Sequence, residues 1–126
     1  RLSAPDAMFF TCCHYHAPEH FYKSDYQTHI NGAKSIQSVQ IETNDITKTV
    51  AFLSAIDAKQ GLFEVIYASS TSFERFTRFT VEVNDLSFLI AYLNGQNLAF
   101  KENAKEQIML QDDTCGVEIA FCEEVF

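Results

Sequence analysis

Residues 78–86 read RFTVEVNDL and residues 38–46 read SVQIETNDI. The pairs Asn44-Asp45 and Asn84-Asp85 stand forty residues apart (85 − 45). At that offset Val39 falls on Phe79, Ile41 on Val81, Glu42 on Glu82 and Ile46 on Leu86. The correspondence resumes with Ala51 on Ala91, Phe52 on Tyr92 and Leu53 on Leu93. Hydrophobic residues make up 47% of the chain, so isolated apolar matches arise by chance. Glu-x-Asn-Asp in register with apolar positions on both sides marks an internal repeat instead, and a repeat governs the architecture ahead of other signals.

Both copies read as strand, cap and helix. In the first, alternation from Val39 indicates a half-buried strand. Asn44 or Asp45 then supplies an oxygen to the free N–H groups of a helix start. That helix is expected to place Ile46, Val50, Leu53 and Ile56 on one apolar face, with Lys48 and Asp57 nearer solvent. Gly61 closes the unit, residues 62–68 form a second strand and residues 69–74 a turn. In the second copy Phe79, Val81 and Val83 alternate with polar residues. Asn84 or Asp85 caps a helix carrying Leu86, Leu89, Ile90 and Leu93, and Gly95 is expected to end it in the left-handed conformation. Short strands follow over 98–101, 107–110 and 117–122, with a turn at Asp112-Asp113 and Gly116.

The unit is therefore β-α-β-β-β, with the first copy a shortened form. Two such units side by side curl their strands around a shared cleft that neither encloses alone. The predicted class is α+β, with a domain over 35–126 preceded by an N-terminal strand (7–13, AMFFTCC) and a long aromatic connection within 1–34. The connection is expected to hold one short helical turn after Pro18 and a tight turn at Asn31-Gly32.

The 126 residues suit one domain with a real core. A net charge of −8 and a pI near 4.8 repel phosphate backbones, and the nine Lys and Arg residues form no cluster, so nucleic acid is not an expected partner. No apolar run is long enough to span a bilayer, so no membrane association is expected. The four cysteines (adjacent Cys12-Cys13, Cys115 and Cys122) lack the density of a disulfide scaffold and read as reduced thiols of a cytoplasmic protein. A chain beginning with Arg1 is expected to be a fragment or a processed product.

The stretch TVEVNDLSFLIAYLNGQNLAF (80–100) followed by CGVEIAF (115–121) resembles the vicinal oxygen chelate superfamily, which includes glyoxalase I, extradiol dioxygenases and bleomycin-resistance proteins. FFTCCHYHAPEHFYKSDYQTHINGA (9–33) is similar to the segment before the second domain of two-domain bacterial glyoxalase-like proteins. The resemblance implies paired βαβββ modules around a ligand cleft and a homodimer or packing against a missing N-terminal domain. It also implies a divalent metal held by a His on the first strand of each module and by carboxylates on the last strands. Seven residues before each helix-start Asp, where those His would stand, this chain has Ser38 and Arg78. Neither is a metal ligand of the required kind. Glu118 alone stands where a carboxylate ligand would be.

The expectation is thus a small-molecule-binding domain with no metal or cofactor of its own and no assigned catalytic residue. Its ligand-binding residues would be Ser38, Arg78, Glu118 and His29, the histidine nearest the first strand. Arg78 would either pair with Glu118, closing the cleft, or stand free to bind an anionic ligand. Two other readings are carried. One is a metal-dependent lyase or dioxygenase with ligands from His14, His16, His29 and Glu118. The other is a structural domain with its cleft filled by Phe and Tyr. Cys12 or Cys13 beside a histidine would suit a nucleophile-base pair, and Glu42 with Glu82 an acid-base pair. The outward side of a strand explains the two glutamates equally well.

Overall fold

The computed structural model describes residues 15–20, 22–70, 74–105, 107–110 and 116–123. The elements are β1 (Ala33–Thr43), α1 (Ile46–Ala55), β2 (Phe63–Tyr67), β3 (Arg75–Val83), α2 (Leu86–Gly95), β4 (Phe100–Glu102), β5 (Ile108–Leu110) and β6 (Glu118–Glu123). Two short 3-10 turns, Pro18–His20 and Ser24–Tyr26, precede β1. The first is the turn expected after Pro18. The strand expected over 7–13 lies outside the described residues.

The six strands form one sheet in the order β2-β1-β3-β6-β5-β4. The two modules meet through their first strands, which pair antiparallel. The repeat survives in that pairing at the level of single residues. Val39 lies opposite Phe79, its own equivalent at offset forty. Ser38 opposite Thr80 is matched by Gln40 opposite Arg78, and Ile36 opposite Val81 by Ile41 opposite Phe76. Two of the three irregularities in the ladder also correspond: it skips Gln37 on β1 and Thr77 on β3. A local two-fold axis therefore passes between Val39 and Phe79.

The helices follow the same rule. Asp45 caps α1 by accepting from the Lys48 N–H, and Asp85 caps α2 by accepting from the Phe88 N–H, each at 3.0 Å. A helix start leaves N–H groups without partners, and a carboxylate there also meets the positive end of the dipole. The predicted stop at Gly95 is corrected by the structure, because Gly95 is the last helical residue of α2. The left-handed position falls two residues on, at Asn97 (φ 55°), with Asp57 (φ 53°) its counterpart after α1. Asn and Asp tolerate that region through local side-chain hydrogen bonding. Gly61 (φ 81°) turns the chain into β2.

The modules differ in how they finish. β2 runs parallel to β1 with Phe63 beside Val39, and β6 runs parallel to β3 with Ile119 beside Phe79. β2 is thus the counterpart of β6, at an offset of 56 (119 − 63) rather than 40. The additional sixteen residues of the second module make room for the β4–β5 hairpin. The first module is βαβ and the second βαβββ, an α+β fold.

The helices cover one face of the sheet. Val83, Leu89, Leu93, Ile108 and Phe121 form the core of the second module, with Phe100 and Leu110 of the hairpin packed on it. Ile41, Phe52 and Leu53 form the core of the first. The predicted apolar face of α1 is corrected here too. Thr49, Phe52 and Leu53 are its buried residues, whereas Ile46, Val50 and Ile56 are more than 40% exposed. Their periodicity is helical, but among the described residues nothing covers them as the second-module core covers the equivalent Leu86 and Ile90.

Candidate functional site

Strand alternation sends Ser38, Gln40 and Glu42 of β1 to the face opposite the helices. With them go Arg78, Thr80 and Glu82 of β3 and Glu118, Ala120 and Cys122 of β6. Side-chain bonds across the strands agree with this assignment: Arg75 to Glu42, Thr77 to Gln40 and Arg78 to Glu118. Lys105 of the β4–β5 turn reaches Glu64 of β2, with Nζ 3.7 Å from Oε1. β2 and β4 are the two edges of the sheet, so that contact requires the sheet to curl until its ends approach. The face away from the helices is the inside of the curl and forms the cleft.

Backbone register arranges this inner face in rows. One row runs Met109, Ala120, Thr80, Ser38 from β5 to β1. The first three are at most 3% exposed and Ser38 is half-buried, so the row is the floor. The adjacent row runs Glu118, Arg78, Gln40, Glu64 from β6 to β2. Its four side chains carry two carboxylates flanking a guanidinium and an amide.

Arg78 is the central charge. Its Nη2 donates to Glu118 Oε2 at 3.2 Å, while its Nε is buried without a hydrogen-bond partner. The Arg78 side chain is 21% exposed and that of Glu118 is 51% exposed. The contact is single-pronged, between a mostly buried cation and a carboxylate that leans into water. A two-pronged fork would use more of the guanidinium and hold it more firmly. Farther along the cleft, Arg75 directs both Nε (3.1 Å) and Nη2 (2.9 Å) at Glu42 Oε2. At the other end Ser35 Oγ lies 3.5 Å from Glu82 Oε1. Beside it, burial and then the charge of Glu82 push the Cys122 thiol pKa up. A thiol in that setting stays protonated and is a weak nucleophile.

The structure thus brings Arg78 and Glu118 into contact and sets Ser38 one row away on the same face. Ser38 and Arg78 are equivalent by the two-fold axis, as their offset requires. His29 is exposed, and its carbonyl accepts from the Gly32 N–H in the turn before β1. Glu42 and Glu82 occupy equivalent positions, yet each is engaged with a different neighbour rather than with the other. His14, Cys12 and Cys13 lie outside the described residues. Sequence reasoning did not single out Gln40, Thr77 or Lys105. Gln40 and Thr77 become cleft residues through the bulge and the register, and Lys105 through the curl, none of which leaves a local pattern.

The metal of the resembled superfamily does not fit here. A serine hydroxyl and a guanidinium stand at the two strand positions, and the one carboxylate, Glu118, is drawn to the guanidinium. A cation placed between them would face Arg78 directly. Among the described residues no three His, Cys, Asp or Glu side chains converge into a metal-binding group.

Solved structures share this fold. The chain is similar to methylmalonyl-CoA epimerase from Mycobacterium tuberculosis, with a TM-score of 0.61 and 10% identity over 82% of this chain and 97% of that one. It is also similar to a hypothetical protein from Bacillus halodurans C-125, with a TM-score of 0.55 and 11% identity over 73% of this chain and 95% of that one. The fold is therefore that of the glyoxalase-like, vicinal oxygen chelate proteins. No family model matches the sequence, and no curated protein matches it. No helix among the described residues is long and apolar enough to cross a membrane.

Proposed function

We propose that this glyoxalase-like domain binds a small carboxylate- or phosphate-bearing molecule in its cleft, without a metal of its own and as part of a larger protein. Arg78 is the anchoring cation and Ser38 a hydroxyl donor beside it. The observation that carries the reading is the unspent hydrogen-bonding capacity of Arg78. Its Nε is buried without a partner, and Nη2 meets one oxygen of a half-exposed glutamate. Buried polar groups are ordinarily satisfied, and one that is not calls for a bound water, an ion or a ligand group. An anion in the cleft would draw the guanidinium off Glu118, which can turn to water at small cost.

The 3.2 Å contact itself favours a second reading, in which Arg78 and Glu118 serve as a strut closing a purely structural domain. Arg78→Met separates the two, because it keeps the stem and removes the charge. Titration with inorganic phosphate and with malonate, followed by amide NMR, should shift resonances of β1, β3 and β6 in the wild type and leave the variant unmoved. The melting temperature of the variant should hardly change. No anion response in the wild type, together with a lowered melting temperature in the variant from loss of the Arg78–Glu118 contact, would establish the strut and end the binding proposal.

A further inference from the structure

The row that holds Arg78 changes in hydrogen-bonding character from one side to the other. Glu118 stands beside Arg78 on β6, and Gln40 stands beside it on β1. The two flanks differ: an ionised carboxylate only accepts, whereas an amide can also donate. Thr77 decides which end of the amide is offered. Its Oγ1 donates to Gln40 Oε1 at 3.1 Å, which leaves the Nε2 hydrogens without an acceptor among the described residues. Across the strands the row therefore runs acceptor, cation, donor.

Accessibility confines a ligand to that row. Ala120, Thr80 and Met109 on the floor are at most 3% exposed, whereas Arg78 and Glu118 both reach solvent. Farther out, Glu64 is met by Lys105 and Glu42 by Arg75. A plain anion that takes Arg78 leaves Glu118 with no cation among the described residues and sets two negative charges side by side. Lys101, opposite Met109 on β4, is three strands away from β3 and cannot stand in for the cation that Glu118 loses. A positive charge carried by the ligand itself can.

We propose that the molecule bound here is an α-amino acid or a compound with the same zwitterionic head, an inference that rests on the anion-binding role proposed above for Arg78. The ligand carboxylate meets the Nε–Nη2 edge of the guanidinium, with one oxygen also turned to Gln40 Nε2. Two parallel N–H contacts to a carboxylate are stronger and more directional than one, and Nε gains the partner it lacks. The ammonium, on the adjoining carbon, faces Glu118. The single pair of Glu118 with Arg78 is thus exchanged for two pairs, one at each end of the ligand head. Glu118 is then the specificity residue: it favours a zwitterion over a plain carboxylate, and its charge opposes a second anionic group on the ligand.

L-Alanine and L-lactate have nearly the same shape and differ in carrying an ammonium or a hydroxyl, so titrating the full chain with each by amide NMR isolates that charge. The wild type should bind alanine about fivefold more tightly than lactate, as a half-exposed ion pair allows, and added salt should shrink the preference. Glu118→Gln should abolish the preference while lactate still binds, with melting unchanged. Arg78→Met should abolish both responses. Lactate binding as tightly as alanine overturns the zwitterion inference and leaves the anion-binding reading standing. An alanine preference that survives Glu118→Gln overturns it in the same way. Silence towards alanine overturns it too, and the response to phosphate and malonate then shows separately whether Arg78 binds anions at all.

Discussion

Thr49 in α1 and Leu89 in α2 occupy the same place in the two modules, and both are fully buried. One is polar and the other apolar because their neighbours differ in the same sense. Thr49 faces Thr43, whose equivalent is Val83, and Glu74, which is 3% exposed. Thr49 Oγ1 lies 3.1 Å from Thr43 Oγ1 and 3.4 Å from Glu74 Oε1, and the Asp45 N–H donates to Thr43 Oγ1 at 3.0 Å. Each hydroxyl has one proton. The consistent arrangement is a relay in which Thr43 donates to Thr49 and Thr49 to Glu74.

Removing the middle member should be costly. Thr49→Val keeps the shape but leaves a buried carboxylate and a buried hydroxyl each short of a partner. Stability should fall by about 1–3 kcal/mol, measured by urea unfolding. The corresponding Leu89→Thr introduces a hydroxyl where the core is apolar and should cost at least as much. A neutral Thr49→Val would mean that water already serves the network.

The two helix caps should behave as equals. Asp45→Ala and Asp85→Ala each remove an acceptor at 3.0 Å from a helix-start N–H. Each should cost about 1 kcal/mol, and replacement by Asn should restore most of it. The two losses should be additive, because the sites lie in separate modules. Thermal denaturation of the single and double variants tests this. A loss confined to one module would contradict the equivalence of the halves.

At the other end of α2, Asn97 holds φ 55°. Asn97→Ala places a side chain that disfavours this region and should destabilise by about 1 kcal/mol, whereas Asn97→Gly should be neutral or slightly stabilising. Equal effects of Ala and Gly in denaturant titrations would show that the side chain, and not the backbone, matters there.

Cys122 yields a pH prediction. Its thiol pKa is raised by burial first and by Glu82 second. The folded state therefore keeps the proton above pH about 8.5, the ordinary cysteine value, where the unfolded state releases it. The contribution of this group is undiminished below that pH and is lost as pH rises through the folded pKa. Alkylation by iodoacetamide at mildly alkaline pH should be slower at Cys122 than at a free thiol, and Glu82→Gln should speed it. Peptide mapping of alkylation against pH decides the matter. An ordinary rate at Cys122 would sink the prediction.

Sequence by itself determined the repeat and almost everything local to it. The forty-residue offset, the strand and helix of each copy and the capping aspartates depend on neighbours a few residues away, and such interactions leave periodic or positional marks. The left-handed stop was assigned to Gly95 because glycine is the commonest residue there, but the helix runs two residues longer and uses Asn97. Ser38, Arg78 and Glu118 come from the family resemblance, by counting back from each capping Asp and by the closing strand, and not from any local pattern of their own. Only the tertiary structure decided what surrounds them. The bulges at Gln37 and Thr77, the curl that brings Lys105 to Glu64 and the single-pronged hold of Glu118 on Arg78 all join residues distant along the chain. The exposed stripe of α1 has the same origin. Ile46 and Val50 have core-like periodicity, but burial needs a neighbour to supply the other surface. Among the described residues the first module has no hairpin to provide one.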